Sequence, residues 1–430
     1  MELFTFAALV LGISALASVF NARVLRLPET IGLMATGLLA SGAFLAIGSV
    51  FPGAVSRVEN WVGAFDFSAF VLDYALAFLV FAGAFSSDEK TMVKERVPIL
   101  IFATLGILVS TFLVGGLAWG ITKLVGLGEI PFLHCLLFGA LISPTDLIAV
   151  LAILKGSAVP RSLQADIEGE SLLNDGVAVV VFLTILQFAG GDAAIEGRAG
   201  QADQGGVGGT LLLFAREVFG GVLLGAAFGW LGTRLVMLVH VAAIDILLSL
   251  AAVMGVYAVA SHLHVSGPLA AVVTGLVFGK VFHSRETDDS EQALLDSFWE
   301  GIEHVLNAVL FTMMGMVLLG LADLFRWDHL VAGLLAIPAV LIARLISVSL
   351  SMPFTSLARG EPGQKIVLLT WGGLRGGISI AMALSLSEGM SRDLILQMTY
   401  VVVAFSILVQ GLSISSLVKR LMPASADVEA

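Results

Sequence analysis

The chain has 430 residues, 58% of them hydrophobic and only 13% charged, and at a mean hydropathy of +1.00 it is too apolar for a soluble domain of ordinary composition. The net charge of −11, without a basic block or interleaved aromatics, argues against nucleic acid as a partner. Its single cysteine, Cys135, excludes disulfides within the chain and argues against a cysteine-based metal site.

The start, Met1-Glu2-Leu3-Phe4, lacks the basic region of a signal peptide and reads as a retained first span. Apolar runs between charged or turn-rich breaks predict an all-α polytopic membrane protein with about thirteen transmembrane helices. They lie near 3–20, 30–50, 68–87, 97–122, 131–154, 163–189, 210–233, 243–262, 266–283, 293–322, 329–352, 365–388 and 394–418. With the N-terminus placed outside, fourteen Lys and Arg between spans fall on the cytoplasmic side and six on the outer side. That asymmetry predicts an outer N-terminus and a cytoplasmic C-terminus in a cell inner (cytoplasmic) membrane. Trp61, Trp327 and Tyr400 read as interface anchors or packing residues.

The fifth span is interrupted by Ser143-Pro144-Thr145-Asp146, where proline removes a backbone donor and tends to free a carbonyl. The sixth holds Glu170, Ser171, Asn174 and Asp175, whose spacing groups four polar side chains on one side of a helix. Residues 190–209 contain eight glycines and predict a flexible external linker. The expected organisation is one membrane domain, 1–430. Within it, 1–189 form a first six-helix half, 210–242 a linking helix, and 243–421 a second, inverted six-helix half. Arg344 lies inside the eleventh span, and Gly372-Gly373-Leu374-Arg375-Gly376-Gly377 interrupts the twelfth. Broken helices at matching places in oppositely directed halves point to a transporter site near the midplane.

A charge at the bilayer centre costs at least ~2.5 kcal/mol, so each buried charge must be paired, hydrated or functional. The same cost weighs against a purely structural role for the acidic run. Its carboxylate, hydroxyl and amide oxygens are hard donors suited to an alkali cation. Glu170 is the natural counter-ion of Arg344, which leaves Asp175 as the exchanging carboxylate. Because a partly dehydrated carboxylate holds its proton until a cation replaces it, proton and metal ion compete there. The dipole ends of the broken helices are expected to be offset by Asp146 and Arg375. His134, His262, His264 and His304 read as solvated or structural residues.

At these residues the chain resembles the monovalent cation/proton antiporter superfamily, in the branch of the NhaP proteins, the animal sodium/proton exchangers and the plant salt-tolerance exchangers. The resemblance rests on Gly169-Glu-Ser-Leu-Leu-Asn-Asp175, on Thr145-Asp146 upstream, on Ala343-Arg344-Leu345 and on Gly372-Gly-Leu-Arg-Gly376, and it covers essentially the whole chain. It implies an inverted-repeat antiporter fold, usually homodimeric. It also implies a Na+ site at Asp175, Ser171, Glu170 and Thr145 with Asp146 nearby, supported by Asn174, Arg344 and Arg375. The expected function is electroneutral one-for-one exchange of Na+, with Li+ a further substrate, for H+ by alternating access, with no cofactor beyond the transported ions. K+/H+ exchange on the same fold is the alternative, ahead of a cation channel, for which no filter or charged ring is visible. No hydrolase or phosphate-loop motif supports an enzyme. Two departures stand out. The family's proline after Thr-Asp is replaced by Leu147, with Pro144 upstream, and its third-span acid is replaced by Ala82, for which Asp73 is the candidate substitute.

Overall fold

Backbone N–H and C=O groups that enter lipid must be satisfied within the chain, and a helix does this locally. The computed structural model describes residues 3–48, 66–87, 96–146, 161–190, 206–238, 241–284, 289–321, 324–355 and 362–421, and all regular elements among them are helical. They are α1 (Leu3–Phe20), α2 (Glu29–Gly48), α3 (Phe67–Ser86), α4 (Val97–Val125), α5 (Phe132–Ile142), α6 (Arg161–Phe188), α7 (Gly206–Val236) and α8 (Ala242–Leu263). Then follow α9 (Gly267–His283), α10 (Asp289–Leu321), α11 (Trp327–Ser351), the half-helices α12 (Pro362–Trp371) and α13 (Gly377–Leu384), and α14 (Arg392–Leu421). Ten of these are long and apolar enough to cross a membrane, while α5 and α9 are shorter apolar helices.

The boundaries differ from the sequence expectation where local chemistry overrides hydropathy. Helix α5 stops at Ile142, directly before Ser143-Pro144, and residues 147–160 lie outside the described set. The twelfth span divides at 372–376, where glycines weaken the helix and leave Trp371 and Gly377 as its broken ends. Helix α7 begins at Gly206, so the last residues of the expected linker are helical; 191–205 lie outside the described residues, as does Trp61. Tyr400 is buried and serves packing, while Trp327 is exposed on the surface.

Small residues let the helices approach closely, as expected where no water drives them together. A Cβ on Gly275 or Gly279 of α9 would meet the backbone of Phe81 or Phe85 on α3 at 2.7 and 2.3 Å. On α2, Gly37 sits against Thr312 and Gly315 of α10, and Ser41 Oγ donates to Gly315 O at 3.0 Å. Helices α2 and α10 run in the same direction, because Glu29 at the start of α2 pairs with His304 midway along α10, and Ser41 further along α2 meets Gly315 further along α10. Helix α5, before the first break, packs on α13, after the second. The two breaks therefore meet: Asp146 N donates to Leu374 O at 2.7 Å.

Candidate functional site

The site is built around the crossing of the two breaks. Past the end of α5, the carbonyls of Ser143 and Pro144 both accept from Arg375, the latter at 2.8 Å. Arg375 is 2% exposed, and its own backbone N–H is held by Ser406 Oγ at 2.9 Å. A guanidinium thus lies at the negative end of α5. At the other break the relation is reversed. Gly376 precedes α13, and a Cβ there would fall 2.1 Å from Asp146 Oδ2, so the carboxylate lies against the positive end of that half-helix.

Helix α6 presents its polar residues to three different partners. Glu170 Oε1 pairs with Arg344 Nη2 at 2.6 Å, both side chains being buried, and Arg344 Nε also donates to Leu369 O at 3.4 Å. Ser171 Oγ donates to the Thr145 carbonyl at 2.5 Å, and Asn174 Nδ2 donates to Thr145 Oγ1 at 2.8 Å. These two bonds fasten α6 to the unwound segment after α5. Asp175, half-buried, faces a cavity of about 370 Å³ together with Thr145, Asp146 and Ser171. Asp146 and Asp175 line the same cavity, so a cation held between them would be attracted by both carboxylates.

The structure therefore brings together four of the residues singled out from sequence, Thr145, Asp146, Ser171 and Asp175, along one cavity. It places Glu170 elsewhere, in the buried pair with Arg344, and Glu170 is not among the residues that line the cavity. Asp73 is exposed on α3 and does not line it either. Among the described residues no group of three or more His, Cys, Asp or Glu could hold a metal ion in the manner of a resident metal centre. What the cavity offers is a small set of hard oxygens at an unwound backbone, suited to a transient monovalent cation or a proton.

The cavity extends further than the sequence reading anticipated. Glu29 and Thr30 of α2 and Glu300, Glu303, His304 and Asn307 of α10 line its outer part. The spacing of 300, 303 and 307 on one helical face was visible in the sequence. That α2 lies alongside was not.

Comparison with known proteins covers nearly the whole chain. The family profile "Sodium/hydrogen exchanger, transmembrane" matches residues 9–420. The Na(+)/H(+) antiporter NhaP of Pseudomonas aeruginosa is 41% identical over 416 residues, covering 96% of this chain and 95% of that protein. The Na(+)/H(+) antiporter NhaH of Halobacillus dabanensis is 30% identical over 410 residues, with 93% of each chain covered. The solved structure of the sodium proton antiporter MjNhaP1 from Methanocaldococcus jannaschii superimposes with a TM-score of 0.72 at 16% identity, covering 98% of this chain and 99% of that one.

Proposed function

The chain belongs to the sodium/hydrogen exchanger family, and from that premise we propose that it is a secondary transporter exchanging Na+ for H+ across the cytoplasmic membrane. The observation that carries the reading is the cavity that joins Asp175, Asp146, Ser171 and Thr145 at a double helix break. The charges of that break are already offset by Arg375 and Asp146. Proton and Na+ exclude one another at Asp175. When protonated, the carboxyl presents no net charge to the cation; when ionised, it joins the hydroxyl of Ser171 and the carbonyl of Thr145 as a hard-oxygen site. Glu170 takes no part in that competition, because its charge is matched by Arg344. Asn174 is neutral and committed to Thr145. One carboxylate then exchanges one proton for one cation, and transport is electroneutral.

Li+ is a second substrate, and no cofactor is needed beyond the transported ions. The arrangement of 1–189 and 243–421 as inverted halves, joined by 190–209 and the helix at 210–242, supplies alternating access, and the working unit is a homodimer. The N-terminus is outside and the C-terminus cytoplasmic. Because Arg23 and Arg26 directly precede α2, the cavity mouth at Glu29 then faces the cytoplasm.

The test is proton flux in proteoliposomes after Na+, Li+ or K+ is added to a preset pH gradient, with and without a collapsed membrane potential. Na+- and Li+-driven proton movement that ignores the potential is expected. Flux that needs no cation would refute exchange, flux driven by K+ alone would reassign the substrate, and dependence on the potential would refute the one-for-one ratio.

A further inference from the structure

The cavity has two tiers, and only the inner one contains Asp175. Helix α10 turns Glu300, Glu303, Asn307 and Leu310 toward one face, at steps of three, four and three residues. With a rise of about 1.5 Å per residue, Asn307 lies about 4.5 Å deeper than His304 and about 4.5 Å short of Leu310. Leu310 abuts Gly377, whose neighbour Gly376 carries the Asp146 contact. The mouth is marked by the Glu29–His304 pair at 3.2 Å between α2 and α10, and Thr30 follows Glu29 directly. Asn307 thus lies between the charged mouth and the inner carboxylates, and Thr30 lies about 1.5 Å inside the mouth on the facing helix.

Both residues are built as if for a ligand. Asn307 is 7% exposed and Thr30 5% exposed, both line the cavity, and neither Asn307 Oδ1 nor Thr30 Oγ1 has a hydrogen-bond partner. Buried polar atoms are normally satisfied, so two orphaned oxygens on residues that line one cavity call for an occupant. An amide carbonyl and a hydroxyl are hard, neutral donors, which suit a singly charged ion. Neutral donors also hold an ion weakly enough to release it, a condition any transport path must meet.

We propose that Thr30 Oγ1 and Asn307 Oδ1 form an outer station for a monovalent cation, occupied on the way between the cavity mouth and Asp175. As a step in transport, the station rests on the exchange reading above. As a binding site, it can be tested without it. In proteoliposomes, Asn307→Leu and Thr30→Val each raise the KM for Na+ about fivefold to tenfold, the loss of one neutral ligand, with kcat within about twofold of the parent. The double variant is no worse than the poorer single one, because both act on the same ion. Asn307→Asp restores a low KM.

The binding arm uses 23Na line broadening on purified protein. Asp175→Asn, which disables the inner tier, still broadens the Na+ signal, and adding Asn307→Leu removes that broadening. Should Asn307→Leu fail to fold, the same pair of measurements is read from Thr30→Val. An unchanged KM in the folded variants overturns the station, as does a loss of kcat at constant KM, or an Asp175→Asn protein that binds no Na+. If the parent protein fails to exchange Na+ while the Asn307-dependent broadening persists, the station stands and the exchange reading falls.

Discussion

Replacing Arg344 with methionine leaves Glu170 buried without its counter-charge, and the structure allows the cost to be worked out. The two side chains meet at 2.6 Å with side-chain exposures of 6% and 4%. Charge centres about 4 Å apart attract by about 4 kcal/mol at an effective dielectric constant near 20. That agrees with the roughly 3–5 kcal/mol lost when one partner of a buried pair is removed. Arg344→Met is therefore expected to destabilise the protein by about that amount. In Arg344→Met/Glu170→Gln neither charge of the pair remains, so most of the loss should be recovered, apart from the weaker contact to Leu369 O. The assay is a double-mutant cycle by denaturant titration of the detergent-purified protein, followed by intrinsic tryptophan fluorescence. If the double variant is no more stable than Arg344→Met alone, the two charges are not coupled and the supporting role of Glu170 is wrong. The cycle bears on transport as well. A double variant that folds but exchanges with an altered Na+ KM would draw Glu170 back into cation binding.

Asp175→Asn should abolish Na+-driven proton flux while the protein remains folded by size-exclusion chromatography; retained flux would move the exchanging role to Asp146. Gly376→Ala should reduce kcat/KM by at least about tenfold, because the new Cβ would fall 2.1 Å from Asp146 Oδ2 and must push that carboxylate off the end of α13. Wild-type kinetics in this variant would show that the position of Asp146 is unimportant. Arg375→Met strips the Ser143 and Pro144 carbonyls of their donor and should cost about 2–5 kcal/mol by the same denaturant titration. Loss of exchange without loss of stability would instead mark Arg375 as part of the ion path.

How much of this was legible beforehand is best seen on α6. The acidic run announced a site by cost alone, since carboxylates do not enter a membrane segment idly. Pro144 and the glycines of 372–377 announced the breaks through backbone chemistry, and both occur where expected. The division of labour within the run was harder to see, because stacking Glu170 over Asn174 and Ser171 over Asp175 suggests a single polar side. At about 100° per residue, however, Asn174, Ser171 and Asp175 lie about 40°, 100° and 140° around the helix from Glu170. The partners follow that order: Glu170 meets Arg344, Asn174 and Ser171 both bind Thr145, and Asp175 reaches the cavity. Those partners come from α11 and from the segment after α5, which hydropathy does not place. The outer tier escaped notice for the same reason, since Thr30 and Asn307 are far apart in the chain and meet a common cavity only because α2 and α10 pack in parallel. One consequence follows for mechanism. Thr145 is bound by the two α6 residues that lie between the paired carboxylate and the open one, so a movement that shifts α6 against the broken α5 must disturb Thr145 and the cation ligands together. On the exchange proposed above, coupling between cation release and the change of access needs no additional relay, because the same two hydrogen bonds serve both.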